Sequence, residues 1–326
     1  MLAPSRPVTP GLPTKGNDMF VVSGEALMDV FGGADSAHGL MLDARIGGSP
    51  LNVAIGLARL AQPVAFFGAV STGFLGQRLM RALRDEGVGT QAVARLDAPT
   101  TLGLVGLDEA GVASYSFYGH GCADRLLPLD ALAAVPAAAR AFHFGSYAMV
   151  VEPVAATQRA LVEREHRRSL IAYDPNIRLN VEPDIERWRD TLQWMLPRTH
   201  LLKVSEEDLG LLYPDRAPAD LAREWLGRGV SCVIVTHGGE GASAWRTGEQ
   251  LRIGPVAVTV VDTVGAGDTF QAALLTGLAE RGVWTREALH DMAAAPMRQV
   301  LEFAARSAAI TCSRRGADMP RRSELG

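Results

Sequence analysis

The sequence predicts an α/β protein: a central, mostly parallel β-sheet with helices on both faces and a small second β-sheet beside it. Three observations carry this. From Ala141 onward short apolar runs alternate with helical patterns, as strands joined by crossover helices do. Apolar strands and helical patterns also succeed one another from Met19 to Glu86. Between these halves the pattern changes to two strand-like runs, Thr101–Leu107 and Val112–Tyr118, around Asp108-Glu109-Ala110-Gly111, a hairpin signal.

In order along the chain, residues 1–18 hold four prolines and no apolar core, so they read as a disordered tail or an upstream start before Met19. The folded domain is then 19–326. Met19-Phe20-Val21-Val22 reads as a buried strand that passes through Ser23-Gly24-Glu25 and reaches Asp29, an acid just past the strand. Residues 30–46, short and punctuated by Gly and Asp, read as strands outside the main core. At Gly47-Gly48-Ser49-Pro50 a helix begins, with Ser49 expected as N-cap and Pro50 at the first helical position. Leu51, Ala54, Leu57, Ala58 and Ala61 follow at helical spacing. Asn52 falls in the first turn, where it is either solvated or, with the double glycine leaving room, turned to a ligand.

Val64 to Val70 is a continuous apolar strand, and Phe74 to Glu86 a helix stopped by Gly87. The hairpin, with residues 30–46, makes a projecting sheet, a candidate lid with strands from about 30–46 and 100–119. The strands Phe142–Gly145, Leu170–Asp174, Leu201–Val204 and Cys232–Thr236 are separated by helical patterns near 153–168, 184–196 and 218–228. Ligands of such sheets bind beyond the carboxyl ends of the strands. Asp174, Ser205 and Thr236-His237-Gly238-Gly239 fall there.

Composition bounds the function. With 326 residues, 48% apolar and 21% charged, the chain can bury one large core. A net charge of −4 gives no reason to expect a nucleic-acid or membrane partner. Cys122, Cys232 and Cys312 lack paired spacing, which speaks against disulfides or zinc and fits a reducing cytoplasm. No run reaches the roughly 18 apolar residues of a membrane span.

The most informative stretch is Asp262-Thr263-Val264-Gly265-Ala266-Gly267-Asp268-Thr269-Phe270. A β-branched run ends there, as at a strand end, and a helical pattern begins. Taken alone it is either a capped helix start after an ordinary turn, or an anion site beside a base. Phe270 stands where a dinucleotide fingerprint needs its third glycine, and neither lysine, Lys15 or Lys203, closes a P-loop. A phosphate here would rest on backbone amides.

Gly47-Gly48-Ser49-Pro50-Leu51-Asn52 and the 262–270 stretch together resemble the two signatures of the ribokinase-like (pfkB) carbohydrate kinases, over Met19 to about Gly316. The first match is looser, with Ala61 where the family often has glycine. Asp174-Pro175-Asn176-Ile177-Arg178 and Lys203-Val204-Ser205-Glu206-Glu207-Asp208 look most like the fructokinase branch. The resemblance implies a ribokinase-like fold and phosphoryl transfer from ATP to a sugar hydroxyl, fructose to fructose 6-phosphate in that branch. It implies Asp268 as the general base, a role worth about 10²–10⁴ in rate. Amides of Gly265, Ala266 and Gly267 would bind the transferring phosphoryl group.

The sugar would lie against Asp29, Gly47, Gly48 and Asn52, while Arg178 either reaches sugar or phosphate or pairs with a surface acid. For ATP, Thr236, Gly238 and Gly241 match the family's Thr-x-Gly-x-x-Gly segment, with Lys203 and Ser205 facing the phosphates. The family's Asn-x-x-Glu motif, tied to magnesium, appears as Ser205-Glu206-Glu207-Asp208 with both ends changed; Ser205 and Asp208 equally make a capping pair. Mg²⁺ is expected with ATP. Backbone carbonyls of Asp262, Val264 and the Arg314-Arg315-Gly316-Ala317 region would hold a monovalent cation, K⁺.

Other readings stay open. A 2-keto-3-deoxygluconate kinase would need a cation near the lid, where the chain offers Tyr115, Tyr118, Gly119 and His120, with Arg125 further on. A nucleoside or riboside kinase fits the same fold. A non-catalytic sugar or nucleotide sensor would not need Asp268 and both glycines. Two chains are expected to pair through their projecting sheets as a homodimer, hiding strand edges.

Overall fold

The computed structural model describes residues 18–107 and 113–325, and all their side chains except those of 34–36, 107 and 113–115. The predicted tail, apart from Asp18, and the hairpin turn at Asp108–Gly111 lie outside these residues. The first half runs β1 (Met19–Ser23), β2 (Leu27–Ser36), β3 (Gly39–Gly47), α1 (Ser49–Arg59), β4 (Val64–Ser71), α2 (Phe74–Asp85), β5 (Val93–Leu96), β6 (Leu102–Leu107) and β7 (Ala113–Tyr118). There follow β8 (Ala139–Gly145), α3 (Val154–Glu165), β9 (Leu170–Asp174), α4 (Ile185–Met195), β10 (Leu201–Ser205), α5 (Glu206–Leu212), α6 (Pro218–Gly227) and β11 (Cys232–Thr236). The chain closes with β12 (Ala242–Arg246), β13 (Glu249–Ile253), α7 (Ala266–Ala279), α8 (Arg286–Asp291) and α9 (Ala294–Cys312).

Nine strands form one sheet in the order β13-β12-β11-β10-β9-β8-β1-β4-β5. It is parallel from β11 to β5. At the other edge β12 and β13 turn back antiparallel around Thr247-Gly248, where Gly248 takes a φ of 74° suited to a two-residue hairpin. The chain winds from β1 through β4 to β5, then returns to the far side of β1 with β8. This reversal makes the carboxyl ends of β1 and β8 the topological switch point.

Strand alternation divides the apolar residues between two cores. Phe20 and Val22 of β1 face a core shared with α1, α2, α7 and α9, while Val21 faces one shared with α3, α4, α5 and α6. By the same period His143, Asp174 and Lys203 share the face of Ala141, Ala172 and Leu201, the face that α7 covers. Helix α7 is buried nearly all round, as its mostly apolar sequence requires. It meets α1 at close range, since a Cβ on Gly56 would stand 2.7 Å from the Ala272 methyl. Among the described residues no helix is long and apolar enough to cross a membrane.

The second sheet has the order β3-β2-β6-β7, with β2 and β6 parallel and the outer pairs antiparallel. Three expectations need correction. Asp29 is inside β2 of this sheet rather than just past β1, because the chain breaks at Gly24-Glu25 and starts a new strand at Leu27. Ser49 is the first helical residue, not the cap; Gly48, at φ 109°, takes that position, and the Ser49 hydroxyl is used elsewhere. The valine run before Asp262 forms no strand: it lies beyond the β13 edge, with Val256, Val258, Val260 and Val261 exposed.

Candidate active site

Asp268 is the third residue of α7 and is buried against α1. Ser49 Oγ donates to its Oδ1 at 2.7 Å, and Asn52 Nδ2 donates to its Oδ2 at 2.8 Å. Both carboxylate oxygens are thus held from one helix. Ahead of α7, Gly265 adopts the left-handed φ of 77° and lies so close to Ala317 that a Cβ would stand 2.6 Å from its methyl. Of the three predicted amide donors, Ala266 N–H is turned onto the Thr263 carbonyl at 3.2 Å. The N–H groups of Gly265, at the cap, and of Gly267 and Asp268, in the first turn where helices leave donors unpaired, have no acceptor among the described residues. These three amides and the positive end of the helix make a candidate anion site.

Lys203 faces that site. Its Nζ would stand 3.2 Å from a Cβ on Gly267, and it donates to Asp174 Oδ2 at 2.7 Å in a buried ion pair. Burial pulls the ammonium down, but Asp174 more than offsets this, so its pKa is raised. Burial pushes Asp174 up to about 6, against the opposing pull of Lys203. Near neutrality both carry charge. Asp174 Oδ1 has no hydrogen-bond partner among the described residues, so the pair is incompletely satisfied. His143, next along the same face, is driven by burial and by Lys203 down to about 3 and stays neutral. No P-loop lysine exists, and the lysine beside this turn is Lys203, the one the family resemblance set toward the phosphates, delivered by β10.

On the small-sheet side, burial lifts Asp29 to about 6, with Arg178 opposing and Asp268 adding to the rise. Gly47 and Gly103 make room for its carboxylate: a Cβ on Gly47 would collide with Oδ2, and one on Gly103 would stand 3.0 Å from Oδ1. Arg178 folds back to donate to the Ile177 carbonyl at 2.8 Å, and its charge acts on both Asp29 and Glu25. Its surface-pair alternative finds no support, since the acids it influences belong to this cleft. Glu25, unremarked in the sequence, is fully buried at the β1–β2 break and pushed by burial up to about 8. Ser146 hydrogen-bonds its carboxyl, yet Oε2 has no partner among the described residues.

Toward the predicted nucleotide side, Thr236 ends β11 and Gly238 takes φ 55° with open space around it. Gly241 has a φ of 95° and its Cβ would strike the Ile253 carbonyl, so strand packing alone demands glycine there. Ser205 caps α5, accepting from Asp208 N–H at 3.0 Å, and Asp208 Oδ1 accepts from Ile177 N–H at 3.0 Å. The capping alternative therefore describes Ser205 but not the Asp208 carboxylate, which turns to Ile177 rather than back to the Ser205 N–H. Asp262 accepts from Val264 N–H at 3.0 Å and Gly316 N–H at 2.8 Å, anchoring the turn before α7 to the 314–317 segment.

The family profile described as "pfkB family carbohydrate kinase" matches residues 17–323. The chain belongs to the pfkB family. A fructokinase of Rhizobium leguminosarum bv. trifolii is 34% identical over 260 residues, 80% of this chain and 79% of the relative. The Escherichia coli fructokinase is 31% identical over 314 residues, 93% of this chain and 97% of the relative. Among solved structures, a Xylella fastidiosa fructokinase with bound ATP gives a TM-score of 0.85 at 26% identity, covering 95% of this chain and 97% of that one. The ribokinase-like architecture and the carbohydrate kinase class expected from the two signatures both hold. What the signatures did not carry for this pfkB kinase are Ser49, Glu25 and the pairing of Asp174 with Lys203. Asp174 had a signal, its place at a strand end beside Asn176 and Arg178; the burial of Glu25 had none.

Proposed function

We propose that this kinase transfers the γ-phosphoryl group of ATP to a hydroxyl of fructose, giving fructose 6-phosphate. One observation supports the chemistry above others: Asp268, three unpaired amides and Lys203 converge on the start of α7. In this reading Asp268 takes the proton of the attacking hydroxyl while the amides and Lys203 neutralise charge spreading over the phosphoryl oxygens. Because such transition states are loose, in-line positioning and charge neutralisation carry more of the barrier than base strength. Asp29, mainly ionised above pH 6, and Asn52 supply acceptors and donors for a polyol, with Gly47 giving the Asp29 carboxylate its room and Gly48 seating the start of α1 on the Glu25 carbonyl. Fructose itself is supported by the fructokinase relatives. Arg125 is not open to the carboxylate of an acid sugar, because it stacks on the Tyr147 ring at 5.3 Å and fills the space under Gly119.

ATP would lie along Thr236, Gly238 and Gly241 toward Lys203. Mg²⁺ supplies charge neutralisation to the phosphates; among the described residues no three acids, histidines or cysteines cluster to hold it, so the phosphates themselves and water would be its main ligands. K⁺ would be held by backbone carbonyls of Asp262 and Val264, in a turn that the Asp262 carboxylate anchors to Gly316. The second sheet acts as the lid, and pairing of two lids gives a homodimer. Free Cys122, Cys232 and Cys312 suit a cytoplasmic setting.

The test is ADP release by a coupled assay with fructose, ribose, 2-keto-3-deoxygluconate and adenosine. Fructose is expected to give the highest kcat/KM; no sugar-dependent turnover, with ligand binding retained, overturns the enzyme reading. Asp268→Asn is expected to lower kcat at least about 10²-fold while ATP still binds.

A further inference from the structure

Ser49 gives its one hydroxyl proton to Asp268 Oδ1 at 2.7 Å. Having given it, Ser49 has none left for a sugar hydroxyl. Asn52 differs, because one amide hydrogen on Asp268 Oδ2 leaves its second hydrogen and its carbonyl oxygen available to a ligand. A carboxylate accepts at about four lone-pair positions, so two remain on Asp268 for the incoming hydroxyl. Ser49 thus gives its only donor to the base, and toward a sugar hydroxyl it could serve only as an acceptor.

The backbone fixes this donor. On one side Gly48, at φ 109°, lies against the Glu25 carbonyl, which would stand 2.7 Å from a Cβ placed there. On the other side Pro50 packs on Gly24, whose added Cβ would stand 2.8 Å from the proline Cβ. Ser49 is therefore clamped between two residues seated on the β1–β2 break, while the close approach of Gly56 to Ala272 holds α1 to the helix that carries Asp268. We infer that Ser49 is a positioning residue of the phosphoryl transfer, holding the Asp268 carboxylate so that its free lone pairs face the sugar hydroxyl. This rests on the kinase reading above.

The experiment compares Ser49→Ala and Ser49→Thr with the wild type by steady-state kinetics with fructose and MgATP, together with thermal melts. Hydrogen bonds to charged groups of this kind are worth roughly 10- to 100-fold. Ser49→Ala is expected to lose kcat by about that factor, with both KM values changed less than about twofold. Ser49→Thr, which keeps the hydroxyl, should recover to within about threefold. In an Asp268→Asn background Ser49→Ala should cost nothing more, because the group it positions is gone. Unchanged kcat in Ser49→Ala overturns the inference. So does a rise in sugar KM at constant kcat, which would make Ser49 a ligand, or a loss that the hydroxyl of Thr does not restore. A wild type without turnover on any sugar would instead remove the kinase reading, and this inference with it.

Discussion

Glu25 is a carboxyl held in a place that disfavours its charge, and stability should register that. Burial raises its pKa from an ordinary 4.5 to about 8, while Ser146 and the charge of Arg178 oppose the shift. Below the lower value both folded and unfolded chains keep the proton. Between the two, the unfolded chain releases it and the folded chain retains it, so rising pH favours unfolding until the folded group ionises near 8. Glu25→Gln removes this dependence. Its melting temperature relative to the wild type is expected to rise between pH 5 and pH 8.5, by the equivalent of a few kcal/mol. An equal offset at both pH values would show that Glu25 ionises normally. Single residues were legible in the sequence where chemistry follows local spacing: Asp268 beside its glycines, Asn52 beside Gly47 and Gly48. Ser49 was misread as a cap because its partner lies 219 residues away, and a sequence does not carry that distance. Lys203 was placed at the right strand end, but its contact with Asp174 depends on which face of two neighbouring strands α7 covers.

Helix α7 joins the base to the anion site through its first turn, and Gly265 sets the angle of entry. The φ of 77° and the contact with Ala317 both exclude a side chain. Gly265→Ala is expected to cost about 1–3 kcal/mol of stability and at least about 10-fold in kcat/KM. Gly210 provides the contrast: it lies within α5 with open space around it, so Gly210→Ala should leave kinetics unchanged and raise stability by about 0.5–1 kcal/mol. Melts and steady-state assays on the pair separate backbone geometry from mere substitution. Equal behaviour of the two variants would remove the special role of Gly265. The long elements were readable because period and length agree, as in β4, a continuous apolar run, and α2, stopped by Gly87. β5, β12 and β13 are as long as β9, β10 and β11 or nearly so, but polar and charged residues break their apolar runs, so they give no strand signal. The valines at 256–261 show the opposite failure: β-branched residues suit a strand, but no neighbouring strand accepts their backbone, apart from the Val261 and Asp262 N–H groups that reach the Cys312 carbonyl.

At the scale of the whole molecule, the small sheet leaves the core with one of its edges uncovered. β3 is an outer strand, and Leu40, Met41 and Leu42 along it are 56%, 70% and 53% exposed. Consecutive apolar residues on a strand point to both faces, and among the described residues these are covered on neither. Such an edge invites pairing with another strand, and a second copy of the same sheet offers one with matching chemistry. Asp29, the acid proposed to bind the sugar, stands on β2, the strand hydrogen-bonded to β3. Pairing of two lids would therefore stiffen the strand that presents Asp29, linking assembly to sugar affinity. The wild type is expected to sediment as a dimer. Leu40→Glu combined with Leu42→Glu places two charges on one face of β3 and should yield a monomer by sedimentation velocity. In that monomer the sugar KM should rise several-fold, while kcat, set at the α7 turn in the other sheet's territory, changes less than about threefold. A monomeric wild type would refute the pairing, and a dissociated variant with unchanged sugar KM would break the link between the lid interface and Asp29.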